Sequence, residues 1–360
     1  ASDYTFYSTL PGTINYSGDC SGDNDSLLAL ADNNTVTFNA LPDGTHSNCK
    51  ISVTTNDNSS TSDNLSVNSF TIDTTAPTLS SLTILSNNDN NTIARVGNRI
   101  TLTINAHENI QTPTVLIAGN SASVSRVSGY TGWSATYTMQ SSDTDGTVSY
   151  SVNFTDTLGN GPTTVTSTTN GSAVLFDKTA PTLTEVTAVP TPDNDSTPNY
   201  TFYSTEAGAI TYGGDCSSSD NTTTVANDNR TTITFNALND GTYSDCTVTV
   251  TDSAGNASTA LDVRDFTVAI PPVLEEVTPV PTPTDNSTPN YTFSSTEEGV
   301  ITYGGDCSSS DNSSSVNNNT ITFNALNDGA HANCTVTVTD SEGNASSALP
   351  VTSFTVAVPP

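Results

Sequence analysis

Apolar residues alternate with Thr, Ser and Asn in short runs along the whole chain, and no stretch sustains a helical period. In one run Cys246, Val248 and Val250 alternate with Thr247, Thr249 and Thr251, which predicts a strand with one face buried and one face wet. A Gly-containing turn leads into this run and a second turn closes it. The whole stretch, LNDGTYSDCTVTVTDSAGN from Leu238 to Asn256, returns as LNDGAHANCTVTVTDSEGN from Leu326 to Asn344. A looser copy, LPDGTHSNCKISVTTNDN, runs from Leu41 to Asn58, and a cysteine-free copy, DTDGTVSYSVNFTDTLGN, ends at Asn160. Copies recur roughly every 90 residues, the signature of a tandem array and not of one large fold.

The same alternation predicts the other strands. Tyr200/Phe202, Ile210/Tyr212, Ile233/Phe235 and Phe266/Val268 have counterparts in Tyr291/Phe293, Ile301/Tyr303, Ile321/Phe323 and Phe354/Val356. In the first repeat the series is Phe6, Ile14/Tyr16, Val36/Phe38, Ile51/Val53 and Phe70/Ile72. The first repeat begins at Asp3-Tyr4-Thr5-Phe6, the equivalent of Asn199-Tyr200-Thr201-Phe202, so its opening strand is expected to be missing or supplied from elsewhere. The second repeat reads Leu102/Ile104, Val115/Ile117, Val124, Trp133 to Met139, and Tyr150, Val152 and Phe154. There aromatic bulk replaces cysteine, and Trp133 is expected in the core, with ligand stacking the lesser reading.

Short strands with turn signals every 8–12 residues predict an all-β chain of tandem immunoglobulin-like β-sandwich domains arranged end to end. The expected boundaries are 1–76, 77–180, 181–271 and 272–360. Each unit has room for one modest core. The junctions Asp73-Thr-Thr-Ala-Pro77 and Asp177-Lys-Thr-Ala-Pro181 keep the chain extended, whereas Ala269-Ile-Pro-Pro272 carries no acid. The chain starts and stops mid-pattern, and is expected to be a mature form or a window on something longer.

Composition narrows the function. Seven Lys and Arg stand against 37 Asp and Glu, a net charge of −30. That argues against nucleic acid and anionic membranes, and favours solubility and attraction of cations. No run reaches the about 18 apolar residues of a membrane span, so no membrane insertion is expected.

The six cysteines fall in pairs, Cys20/Cys49, Cys216/Cys246 and Cys307/Cys334, separated by 29, 30 and 27 positions. Repetition favours disulfide pairing within each repeat and an oxidising compartment. Zinc is the alternative, and these pairs lack the close Cys-x-x-Cys partners it needs.

DGTY followed by Cys, then VTVTD-x-x-GN, together with the DTTAP and DKTAP linkers, resembles the bacterial immunoglobulin-like (Big-type) tandem repeats of large extracellular surface and adhesin proteins. The likeness spans essentially the whole chain. VGNRITLTINAHENI and GWSATYTM in the second repeat look like another subtype of that family.

In an immunoglobulin sandwich the turn after strand F lies at the end where the preceding linker arrives. Asp73 is therefore expected near Asp156 and Asn160, and Asp177 near Asp252 and Asn256. Carboxylates with Asn and backbone carbonyls are calcium ligands, and the resemblance implies calcium between domains of this kind. The plainer reading is that Asp and Asn favour turns. At the third junction Asp340 and Asn344 lack a linker acid, so no ion and a looser hinge are expected there. Asp23/Asp25 and Asp193/Asp195 lack the EF-hand Gly and Glu and read as loop acids.

Tyr243 resembles the corner tyrosine of immunoglobulin folds, and His46 and His331 replace it in the sister repeats as structural tips. No nucleophile elbow, phosphate loop or HExxH occurs, so no catalytic residue is assigned and no enzyme is expected. The expected role is a structural stalk or fibre on a bacterial surface, its partners neighbouring copies of itself or further repeats of a longer chain. An edge left open in the first repeat is expected to accept a strand. The alternative is an adhesin module that binds carbohydrate or a host or cell-surface protein, chiefly through 77–180.

Overall fold

The computed structural model describes residues 3–22, 28–219, 223–224 and 230–359. Asp23 and Asp25 lie outside the described residues. Every regular element among the described residues is a β-strand. No helix is long and apolar enough to cross a membrane, which leaves strand-built barrels unaddressed. The chain divides into two compact units, Ala1–Lys178 and Thr179–Pro360. Each unit holds two separate apolar cores, one per repeat.

The first of the two repeats in the second unit shows the architecture most fully. Leu183–Thr187, Asn199–Ser204 and Arg230–Thr234 form one antiparallel sheet. Thr223–Thr224, Gly208–Gly213, Thr247–Asp252 and Leu261–Asp262 form the facing sheet. Gly241–Tyr243 and Phe266–Val268 pair in the register of the last two strands and extend them. The repeat that follows has the same ladders, with Leu274–Thr278, Asn290–Ser295 and Asn317–Thr322 facing Ser313–Ser314, Gly299–Gly304, Thr335–Thr339 and Leu349–Pro350. Two facing antiparallel sheets with alternating burial make each repeat an immunoglobulin-like β-sandwich.

The cores of the three disulfide-bearing repeats contain aromatic columns that cross the sandwich. Tyr200 stacks on Phe235 at 6.2 Å between ring centres, Phe235 on Phe266 at 6.1 Å, and Phe266 on Tyr243 at 5.3 Å. Tyr291, Phe323, Phe354 and His331 repeat that order, as do Tyr4, Phe38, Phe70 and His46 in the first unit. Each fully buried ring contributes roughly 1.5–3 kcal/mol. The fourth position is a corner residue, and its polar tip needs a partner. The Tyr243 hydroxyl donates to the Asn239 carbonyl at 2.9 Å. Nε2 of His46 and of His331 contacts the equivalent carbonyls of Pro42 and Asn327, each at 3.0 Å. The structural role expected of these three residues is what they have.

The second repeat differs. Leu79–Ser86, Arg99–Ala106, Gly132–Thr138 and Ser123–Ser128 form one sheet, and Thr114–Ile117 with Asn120–Ser121, Tyr150–Phe154 and Thr163–Val165 the other. Trp133 is buried in this core, and its indole N–H donates to the Tyr130 carbonyl at 3.2 Å. It has no face left for a ligand.

Three disulfides join Cys20 to Cys49, Cys216 to Cys246 and Cys307 to Cys334, each with Cα atoms 5.2 Å apart. Each lies inside one repeat. Cys216 follows Gly208–Gly213 and Cys246 precedes Thr247–Asp252, two strands that pair directly. The bridge therefore staples neighbours of one sheet at their ends, where antibody domains bridge two sheets. The segment it closes joins polar turns to a core strand, since Ile233 and Phe235 lie between Cys216 and Cys246 and are buried.

Candidate metal centres within the two units

The second turn of the repeated motif builds the first half of each site. Asp156 ends the Tyr150–Phe154 strand region, and the turn to Asn160 folds back on its carboxylate. Its Oδ1 accepts from the backbone N–H groups of Leu158, Gly159 and Asn160 at 2.8, 2.6 and 2.8 Å. Gly159 has φ +97°, a left-handed conformation that glycine adopts freely and that lets three amides converge on one oxygen. The Asn160 side-chain amide donates to Oδ2 at 2.7 Å. Asp156 is 2% exposed. Burial opposes its ionisation, but the Asn160 side chain and the three amides outweigh burial and hold the carboxyl below its ordinary range.

Two more carboxylates meet Asp156. Asp73, from the segment that leaves the first sandwich, and Glu108 each place an oxygen so that the three ligand atoms lie within 4.8 Å of one another. The Asn160 amide also donates to the Asp73 carbonyl at 2.9 Å. Burial, then the charges of Asp73 and Asp156, push the Glu108 carboxyl above its ordinary value. The site is thus a crowd of negative charge.

The second unit contains an equivalent triad, Asp240, Glu297 and Asp340, also within 4.8 Å. Asp340 Oδ1 accepts from the Asn344 backbone at 2.7 Å, and Oδ2 from the Asn344 side chain at 2.8 Å. Asp340 and Asn344 are expected to lack a linker acid and therefore an ion site, but a carboxylate cluster forms there all the same. The linker has no acid, but Asp240 of the preceding Asp-Gly turn supplies one. Its Oδ1 accepts from the Ile270 backbone at 3.0 Å, and its Oδ2 from the Asn344 amide at 2.8 Å. Burial, followed by Asp240, Asp340 and Glu342, pushes the Glu297 carboxyl upward.

The structure brings Asp73, Asp156 and Asn160 together, but Asn160 serves as a donor through Nδ2 and not as a carbonyl ligand. Asn256 has the same role toward Asp252, whose Oδ2 it reaches at 2.9 Å while Ala254, Gly255 and Asn256 N–H groups converge on Oδ1 at 2.7–2.8 Å. Asp177 belongs to the first unit, where its N–H donates to the Ala94 carbonyl at 2.8 Å. Sequence reasoning missed Glu108, Asp240 and Glu297. A signal existed for two of them. Glu297 recurs as Glu206 in the Ser-Thr-Glu motif, and Asp240 recurs as Asp43, Asp145 and Asp328.

All donors in both triads are hard carboxylate oxygens, with no His or Cys, so these clusters fit a divalent cation that prefers oxygen.

No protein-family model and no curated protein sequence matches the chain. Among solved structures it is similar to a marsupial T cell receptor, at 12% identity over 75% of this chain and 99% of that one, with a TM-score of 0.34. It is similar to Dpr2 Ig1-Ig2 in complex with DIP-Theta Ig1-Ig3 at 13% identity, over 78% and 99% of the two chains, with a TM-score of 0.34. The native conformation of E. coli alpha-2-macroglobulin matches at 10% identity over 98% of this chain and 29% of that one, with a TM-score of 0.21. At these values the likenesses carry no argument. The sandwich assignment rests on the strand ladders and the cores.

Proposed function

We propose that this chain is a structural repeat protein of the bacterial cell exterior, its immunoglobulin-like sandwiches serving end to end as a stalk or fibre in the manner of Big-type adhesin repeats, and that calcium fixes its junctions. Neighbouring copies or further repeats of a longer chain would be its partners. One observation carries the reading. In each unit a carboxylate of one sandwich, Asp73 or Asp240, meets two of the next, Glu108 with Asp156 or Glu297 with Asp340. A cation held there ties two sandwiches whose apolar cores are separate. It also neutralises a cluster that burial and repulsion make costly. The three disulfides suit an oxidising, extracellular setting.

Calcium titration of the chelator-treated chain, followed by calorimetry and small-angle scattering, tests this. Saturable binding with a stiffening of the particle is the expected result. No uptake at millimolar calcium, or no change in scattering, would sink the calcium-set stalk.

A binding module is the second reading, and an exposed feature of the second repeat favours it. Tyr130 is half exposed and Arg126 packs over its ring at 3.8 Å, beside the exposed Val127. An aromatic ring paired with a guanidinium suits stacking against a sugar or a protein surface. A glycan array probed with the full chain and with Tyr130→Ala separates the readings.

A further inference from the structure

The second repeat contains a hairpin that its sandwich does not need. Asn120–Ser121 is followed by Ser123–Ser128, a short loop and Gly132–Thr138, and Ser123–Ser128 is an edge strand of its sheet. In the last repeat Ser313–Ser314 leads straight to Asn317–Thr322 with no strand between them, and the core forms all the same.

Charge singles out the same repeat. Residues 77–180 hold four of the seven Lys and Arg but only six of the 37 Asp and Glu. Two of those six, Asp143 and Asp156, are buried. An anion can therefore approach this repeat more readily than the others.

The hairpin exposes Arg126, Val127 and Tyr130, with Val127 68% and Tyr130 50% open. The register slips between Arg126 and Ser128, so Val127 is the extra residue of a bulge. A bulged edge is a poor template for an added strand, which favours a compact ligand over an extended peptide. The loop is tied down. The Tyr130 carbonyl accepts from the Trp133 indole N–H at 3.2 Å and the Ile110 N–H at 3.1 Å, and the Thr131 carbonyl accepts from the Ala106 N–H at 2.9 Å. The Arg126 guanidinium lies 3.8 Å from the centre of the Tyr130 ring and 5.2 Å from that of Trp133. It forms no ion pair among the described residues. A planar cation held against two rings, its fork of donors unused, is preorganised for a carboxylate.

We infer that this hairpin binds a sugar bearing a carboxylate, a uronic or sialic acid unit of an anionic glycan. Arg126 takes the carboxylate with paired N–H donors, and Val127 and Tyr130 carry the apolar face of the sugar ring. The exposed Ser125 and Ser128 offer hydroxyls beside them. Three side chains suit one sugar unit, whereas a protein partner needs about 20–30 residues a side. The inference rests on the binding-module reading and names its ligand class.

The test uses the full chain with tetragalacturonate, a hyaluronate tetrasaccharide and sialyllactose, each beside its methyl ester. EDTA is present throughout, so that no cation bridges a sugar to the acids at Glu108 and Asp156. Emission of Trp133, the only tryptophan, reports binding because Arg126 lies beside its ring, and calorimetry gives Kd. At least one acidic sugar is expected to bind saturably. Its ester, and Arg126→Gln with the acid, should each bind about tenfold more weakly or worse. Arg126→Lys keeps the charge without the planar fork and should fall between. Arg126 is exposed, and an unchanged circular dichroism spectrum checks that the variants fold. Equal binding of acid and ester, or full binding by Arg126→Gln, overturns the inference and leaves a module for neutral sugars. Silence with all the sugars overturns it as well, while the binding-module reading falls only if the glycan array is blank.

Discussion

The Asn344 side-chain amide donates to Asp240 Oδ2 at 2.8 Å across 104 residues of sequence. The same amide reaches Asp340 Oδ2 at 2.8 Å, so one asparagine links the carboxylates of two sandwiches. In the first unit Asn160 joins the two sandwiches through the Asp73 main-chain carbonyl and Asp156 Oδ2. The Asp-Gly turn thus takes over at one junction what a linker acid does at the other. Asp43, Asp145 and Asp328 use the equivalent carboxylate on the outgoing segment of their own sandwich, at Thr74 and Thr75, Lys178 and Val358.

Asp240→Ala removes the bonds to Ile270 and Asn344 and one of three carboxylates. Stability of the second unit should fall by about 1 kcal/mol without calcium, the worth of a typical bond of this kind. Calcium stoichiometry should drop by one ion per chain. Calorimetry of the variant beside the wild type checks both.

Glu108 gives the junction a pH dependence of known sign. Its folded pKa is raised, so its contribution to stability is complete below the ordinary value of 4.5 and is lost as pH rises through the folded value. Asp156 has the opposite sign, since its lowered pKa favours the fold until pH falls through the folded value. Without divalent cations, Glu108→Gln should therefore stabilise the first unit above pH 4.5. With calcium the order should reverse, because the variant loses a ligand. Melting curves over pH 4–8, with calcium and with chelator, test the reversal.

Loss of the Cys216–Cys246 bridge should cost about 3 kcal/mol, from the entropy of the loop it closes. Trp133 is the only tryptophan and sits in the cysteine-free sandwich. Reduction should leave the tryptophan emission transition in place while the circular dichroism transition broadens toward lower denaturant. A tryptophan transition that moves with the others would mean that the sandwiches do not unfold separately.

Tyr243→Phe keeps the ring on Phe266 and loses the bond to Asn239, for a loss of about 1 kcal/mol. His331→Tyr should be tolerated to within about 0.5 kcal/mol, since the tyrosine fits the same corner in the sister repeat. Urea unfolding of the two variants measures both.

What the sequence by itself determined was local and periodic. Alternation at Cys246 to Thr251 set strand and face, because side chains in a strand point to opposite sides in turn. Repetition set the sulfur pairs and the corner residues, since like sequences fold alike. The tertiary structure decided what lies between distant segments. Glu108 and Asp240 join their triads from turns far along the chain from Asp156 and Asp340, and no local period encodes such a meeting. Burial decided Trp133 as well, because only packing tells an inward ring from an exposed one. The partial exposure of Tyr4, Val53 and Phe70 was not legible either, since it depends on what neighbouring strands leave uncovered.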